Sequence, residues 1–227
     1  MKFFKFKKNF KKTYAQSGED IILDVLLRSI GIRKPHYLDI GAHDPMKFSN
    51  THFFYKKGCR GVNIEPDPML YSKFLSKRKR DVNLNIGLAE KNSTLDFYVL
   101  SARTLSTFDE VVAKKYIEFK EHDLVETIKV DVKNVNEVVA LNFETYPNFV
   151  SLDVEGLEME ILKSFDFNKI RPEVFCIETV SYDEGIKDIK IINFMESVGY
   201  MVYADTFINT IFVDKKSWEC RRRVEKK

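Results

Sequence analysis

Cysteine is scarce in this chain. Cys59, Cys176 and Cys220 are odd in number, far apart and form no CxxC pair. That excludes a disulfide framework or a zinc site as the basis of the fold, and it fits a reducing, cytoplasmic setting. No apolar run approaches the ~18 residues of a membrane span, so the chain is not expected to cross a bilayer. The first twelve residues are basic but hold no uninterrupted apolar stretch, so they do not read as a signal peptide. The nine glycines never form GxGxxG, which argues against a pyrophosphate cradle and hence against NAD. There is no Pro-Pro pair of the kind exocyclic-amine methylases use. Neither Cys59 nor Cys176 follows a proline, as a pyrimidine C5-methylase nucleophile often does.

What is present is charge, unevenly placed. Residues 1–12 carry six Lys and no acid, and residues 221–227 carry five basic groups and one acid. The stretch between them therefore has a net charge of about −7 against a total of +3. A uniformly basic nucleic-acid binder is not built this way, and no nucleic acid partner is expected. The basic ends, with Phe3, Phe4, Phe6 and Phe10, suit peripheral contact with the anionic inner face of a membrane. A solvated terminus is the simpler reading. At 227 residues, with 44% hydrophobic and 31% charged residues, one globular domain is expected. It spans residues 14–215, between basic tails at 1–13 and 216–227.

The pattern along the chain alternates strand and helix. Ser17 and Asp20 suggest a box-like cap on a helix that ends at Gly31, with Ile21, Ile22, Val25, Leu26 and Leu27 on its inner face. Residues 37–40 read as a strand closed by Gly41. Ser49-Asn50-Thr51 can cap a helix over 52–57, and a second strand at 61–64 ends on Glu65-Pro66. A helix at 69–76 and a third strand at 81–86 follow. The strands near 95–99 and 126–132 and the helices near 109–119 and 135–141 break the alternation, and they read as an insertion decorating one sheet edge. Strand 149–153, helix 156–165, strand 173–178 and helix 187–197 resume it. Residues 200–203 and 209–213 lie too close for a helical crossover and must pair antiparallel. A mostly parallel, seven-stranded, Rossmann-like α/β sheet ending in such a hairpin points to the S-adenosylmethionine-dependent methyltransferase variant of the doubly wound fold.

Ligands of open α/β sheets lie beyond the strand C-termini. There the strands present Asp39 and Gly41, Glu65, Gly87-Leu88, Asp153 and Glu178. Four acids on one edge exceed what packing requires. An acid ending the second strand is placed to accept both ribose hydroxyls, which points to an adenosine-containing cofactor. Asp39 and Gly41 are expected beneath its methionine part, and Gly87-Leu88 beside the adenine. His43 and Pro45 stand where a phosphate loop would carry glycine, which a sulfonium cofactor tolerates. His43 is a candidate for contact with cofactor or substrate, whereas His36, His52 and His122 read as structural or solvent-facing.

Several blocks carry a family resemblance. They are residues 37–45, 49–51, 58–66, 152–158 and 172–178, with the opening Gln16-Ser17-Gly18-Glu19-Asp20. In this order, over about residues 14–213, the chain resembles the FkbM family of methyltransferases. Cys59 stands where that family often has Trp. The resemblance implies an S-adenosylmethionine-dependent O-methyltransferase acting on sugar or polyketide hydroxyls. It marks Gln16, Glu19, Ser49, Asn50, Thr51, Pro66 and Asp153 as further cofactor-site residues. Methylating a hydroxyl requires a base, and Asp153, Glu155, Glu158 and Glu178 are the catalytic candidates. Glu158 reads equally well as favourable charge in a helix first turn. Asp153 with Glu178 could alternatively hold Mg²⁺. The expected acceptor is a hydroxyl of a carbohydrate, such as a surface glycan or polysaccharide precursor. A polyketide or other small-molecule hydroxyl, or a catalytically silent binder of cofactor or glycan, are the alternatives.

Overall fold

The computed structural model describes residues 11–120, 122–180 and 185–221. Most of the two basic tails, including Phe3, Phe4, Phe6 and Phe10, lies outside these residues. Among the described residues no helix is long and apolar enough to cross a membrane.

The chain opens with α1 (Glu19–Ser29), β1 (His36–Ile40), α2 (His52–Lys56), β2 (Arg60–Ile64), α3 (Pro68–Lys77) and β3 (Val82–Leu84). It later resumes with β7 (Phe149–Leu152), α6 (Glu158–Ser164), β8 (Val174–Glu178), α7 (Ile189–Ser197), β9 (Tyr200–Asp205), β10 (Asn209–Asp214) and α8 (Lys215–Cys220). The seven strands form one sheet in the order β3-β2-β1-β7-β8-β10-β9. All pairs from β3 to β8 are parallel, while β10 runs antiparallel to both β8 and β9, as the short connection requires. The order turns back between β1 and β7, so the crevice beyond these two strands is where a ligand fits.

Both faces of the sheet are covered, and so the central strands are buried along their length. Tyr37, Phe149, Val174, Cys176, Ile211 and Val213 pack against Leu23, Leu26 and Leu27 of α1. Leu38, Ile40, Val150, Leu152, Phe175 and Ile177 face Ile161 and Leu162 of α6 and Ile191 and Met195 of α7. The inner face of α1 is thus set by Leu23, Leu26 and Leu27, spaced i, i+3, i+4, and Val25 is 49% exposed instead of buried as expected. The expected Ser17–Asp20 cap is not made either. Gly18 is the N-cap, in a left-handed conformation, because Asp20 takes the Tyr14 N–H and the Thr13 hydroxyl while Glu19 takes the Ser17 N–H.

The irregular middle of the chain forms β4 (Gly87–Leu88), β5 (Ser93–Leu100), α4 (Glu110–Lys120) and β6 (Leu124–Lys133). These strands do not extend an edge of the main sheet. They form a separate three-stranded sheet, β4-β6-β5, with its own small core of Phe97, Val99 and Val130. Helix α5 (Val135–Asn142) does not belong to the insertion, since Val135, Val138 and Val139 pack into the main core and make α5 the crossover into β7. Residues 216–220, expected as tail, belong to α8 (Lys215–Cys220), capped by Asp214 and packed through Trp218 on Tyr203.

Candidate active site

The carboxyl ends of β1, β2, β7 and β8, together with the insertion, enclose a cavity of about 400 Å³. Gly41 fixes its floor. It has φ +74°, and a Cβ there would sit 1.7 Å from the Asp153 carbonyl oxygen. The close approach it permits is therefore between two strand ends, and the ligand crevice opens above it.

Asp39 is buried beneath the cavity and already engaged. The Thr51 hydroxyl donates to it at 2.5 Å, and the Arg78 guanidinium lies 4.0 Å away. Burial pushes its carboxyl up to about 6, against the pull of Thr51 and Arg78. Arg78 is itself completely buried, donates to Thr51 and pairs with Asp81 at 3.3 Å. The segment 49–51 is thus turned inward. Ser49 Oγ caps α2 by accepting the His52 N–H, Asn50 donates to Ser151, and Thr51 serves Asp39.

Glu65 directly follows β2, with both carboxylate oxygens engaged by backbone N–H groups. One carboxylate oxygen accepts the His43 N–H at 2.7 Å, and the other accepts the Asp67 N–H at 2.8 Å. Each oxygen keeps a second lone pair, and the side chain lines the cavity. Burial raises its pKa to about 8. Asp67 caps α3 ahead of Pro68, and its second oxygen is held by Arg103 of the insertion. His43 lines the cavity in a left-handed backbone conformation, and burial lowers its imidazole pKa.

On the far side, Asp153, Glu155 and Glu178 converge, with carboxylate oxygens within 4.8 Å of one another. Asp153 and Glu178 share a hydrogen bond. Burial and then the negative charge of Asp153 push the Glu178 carboxyl well above the usual carboxylate range, and burial raises Asp153 as well. Glu155 has φ +56°, and its Oε2 accepts from the Tyr116 hydroxyl at 2.7 Å. Its carbonyl accepts from Thr107 Oγ1 at 2.9 Å. The insertion therefore grips this turn at two points, and burial and the charge of Asp153 raise the Glu155 pKa. Three such oxygens could hold a hard cation.

The expected residues divide cleanly. Gln16, Asp39, Gly41, His43, Ser49, Asn50, Glu65, Pro66, Gly87, Leu88, Asp153, Glu155 and Glu178 line the cavity. Glu19, Thr51 and Glu158 do not. Glu19 accepts from Thr206 and Asn209 and ties the β9–β10 hairpin to α1. Glu158 accepts the Val154 and Gly156 N–H groups, which leaves it as the cap of its own turn. Sequence reading missed Arg78, Arg103, Thr107, Tyr116 and Ser151. Only Asp67, standing directly before Pro68, carried a legible capping signal.

Residues 39–202 match the model of the methyltransferase FkbM domain. None of the curated proteins compared matches the chain in sequence. Among solved structures, the chain is similar to a Burkholderia thailandensis 1,6-didemethyltoxoflavin-N1-methyltransferase with bound S-adenosylhomocysteine. The two are 10% identical over 86% of this chain and 74% of that one, at a TM-score of 0.43. It is also similar to a T. thermophilus 16S rRNA N2 G1207 methyltransferase in complex with AdoMet and guanosine. That match is 13% identical, covers 92% of this chain and 45% of the other, and has a TM-score of 0.48. The precorrin-6y C5,15-methyltransferase of Geobacter metallireducens is 13% identical over 90% of this chain and 92% of its own, with a TM-score of 0.43.

Proposed function

The chain belongs to the FkbM methyltransferase family, and from that premise we propose that it transfers the methyl group of S-adenosylmethionine to a hydroxyl of a carbohydrate. The observation that carries this reading is the convergence, around one cavity, of a ribose-type acid at one end and a proton-accepting cluster at the other.

S-Adenosylmethionine, when bound, supplies an electrophilic methyl on a positively charged sulfur. The residues present suit it. Glu65 is preorganised to accept two ribose hydroxyls, no phosphate-binding loop is needed, and the acids of the crevice favour a cation. In-line transfer of that methyl would need the acceptor hydroxyl held at the shared end of the crevice, where Asp153, Glu155 and Glu178 stand. The hydroxyl proton passes to Glu155. Glu178 is the less favoured base because burial and the charge of Asp153 raise its carboxyl further than that of Glu155, and Glu158 because both its oxygens accept backbone N–H groups. Asp153 holds Glu178 in place, and positioning in the enclosed crevice contributes much of the rate.

Calorimetric titration with S-adenosylhomocysteine, beside NAD and with and without Mg²⁺, tests the reading. Micromolar binding of the first and none of the second is expected. Absence of S-adenosylhomocysteine binding overturns the enzyme assignment, and tighter binding only with Mg²⁺ assigns the three-carboxylate cluster to a cation.

A further inference from the structure

A second cavity of about 190 Å³ lies beside the first, and the two share Glu155, Glu178 and Val180 as a common wall. None of the residues on the ribose side of the site, Glu65, Pro66, Gly87 or Leu88, reaches it. Its other walls come from elements that the cofactor reading leaves without a task. Helix α4 of the insertion contributes Val112, Lys115 and Tyr116, the start of α6 contributes Met159, and the start of α7 contributes Asp188 and Ile191.

The lining is two-sided. Val112, Met159 and Ile191 make an apolar patch, while Lys115, Tyr116, Thr179 and Asp188 make the rest of the wall polar. A pyranose ring has the matching character, with C–H groups on its faces and hydroxyls at its edge. The volume sets a second limit. It falls below the roughly 300–1,000 Å³ of pockets for drug-sized ligands, so one ring fits and a macrocycle does not. Charge sets a third. Four acids, Glu155, Glu158, Glu178 and Asp188, stand on the walls with Lys115, and Glu155 must be ionised to take a proton, so an anionic sugar would be held against that charge.

We propose that this second cavity is the acceptor subsite and that it holds a single uncharged sugar ring, with one hydroxyl directed at the shared wall. That hydroxyl meets Glu155, which takes its proton, while the methyl group arrives from the main cavity. The proposal rests on the methyltransferase reading of the main cavity and adds to it the place and class of the acceptor. It also gives the insertion a function, since α4 both closes the subsite and holds Glu155 through Tyr116.

Saturation-transfer NMR on the full chain loaded with S-adenosylhomocysteine tests it, using methyl α-glucopyranoside, methyl α-mannopyranoside, methyl α-rhamnopyranoside and the anionic methyl α-glucuronoside at millimolar concentration. At least one neutral glycoside is expected to receive saturation, and the glucuronoside none. In the wild-type protein, ring protons of the bound glycoside should show contacts to the Met159 methyl, which requires no variant. Val112→Trp, which fills the cavity from α4, should lower the saturation at least fivefold while S-adenosylhomocysteine affinity stays within twofold. Saturation that persists in Val112→Trp without contact to Met159, or a glucuronoside that binds as well as the neutral sugars, overturns the proposal, as does silence from every neutral glycoside on the loaded protein. Failure of the wild-type protein to bind S-adenosylhomocysteine is a separate result that removes the methyltransferase reading and this subsite with it.

Discussion

Glu65 concentrates the residue-scale argument. It is buried, holds two backbone N–H groups and keeps one lone pair per oxygen toward the cavity. Hydrogen bonds to a charged acceptor contribute about 1.5–3 kcal/mol each. Glu65→Ala should therefore weaken S-adenosylhomocysteine binding at least about tenfold by calorimetry, and unchanged affinity would remove its assigned role. The pH dependence has a definite sign. With its pKa raised to about 8, Glu65 is largely protonated in the free protein at pH 7, whereas two ribose donors call for the carboxylate. Affinity should rise from pH 6 to about 8 and then level off, with a proton released to buffer on binding. For Glu155→Gln, loss of general-base catalysis predicts a fall in turnover of roughly 10²–10⁴-fold with cofactor affinity nearly intact. Full turnover would take Glu155 off the reaction path.

At the scale of elements, the site is a junction between the ends of β1 and β7 with the insertion clamped over it. Gly41→Ala places a Cβ 1.7 Å from the Asp153 carbonyl oxygen at a backbone φ of +74°. It should cost about 2–4 kcal/mol in urea unfolding and abolish cofactor binding, since the two strand ends must part. The insertion acts through three contacts, Arg103 to Asp67, Thr107 to the Glu155 carbonyl and Tyr116 to the Glu155 carboxylate. Tyr116→Phe removes a hydrogen bond worth about 1 kcal/mol, which is a small change in stability. Because that bond favours ionised Glu155, its loss should move the alkaline rise of the pH–rate profile to still higher pH. A profile that does not move would mean the clamp is structural only.

For the whole molecule, collecting buried acids at one edge has a cost that pH reveals. Glu65 and Glu155 have their pKa values raised from 4.5 to about 8. His43 and His52, both depressed by burial, are still partly protonated in the unfolded chain at pH 6.5 and oppose the trend there, but each contributes less over this window than an acid raised to about 8. Asp24, Asp44 and Asp205 are depressed instead, so their contributions are lost only in acid. Between pH 6.5 and 8.5 the folded protein thus holds protons that the unfolded chain has released, and stability falls as pH rises. Thermal unfolding should show a Tm at least about 3 °C lower at pH 8.5 than at 6.5, at about 2–4 °C per kcal/mol. Glu155→Gln should flatten the trend, and a flat wild-type curve would show that these acids are not strained by burial.

The sequence by itself determined the strand order of charge and apolarity. Each run such as residues 37–40 or 174–177 is buried on both faces, so its residue types declare it a central strand wherever it sits. An acid or glycine at the end of such a run then marks the ligand edge, as Asp39, Gly41, Glu65, Asp153 and Glu178 did. The terminal hairpin was legible for the same local reason, because too few residues separate its strands for a crossover. Only the tertiary structure decided which acids are free to act. Glu19 and Glu158 look like their neighbours in sequence, yet their oxygens are consumed by groups that folding brings to them, Thr206 and Asn209 in one case and two loop amides in the other. Buried Arg78 and the separate sheet of the insertion were likewise invisible, since their partners lie across the chain and no local period records a contact. Hydrogen-bond capacity is finite, and how it is spent depends on which groups meet in three dimensions.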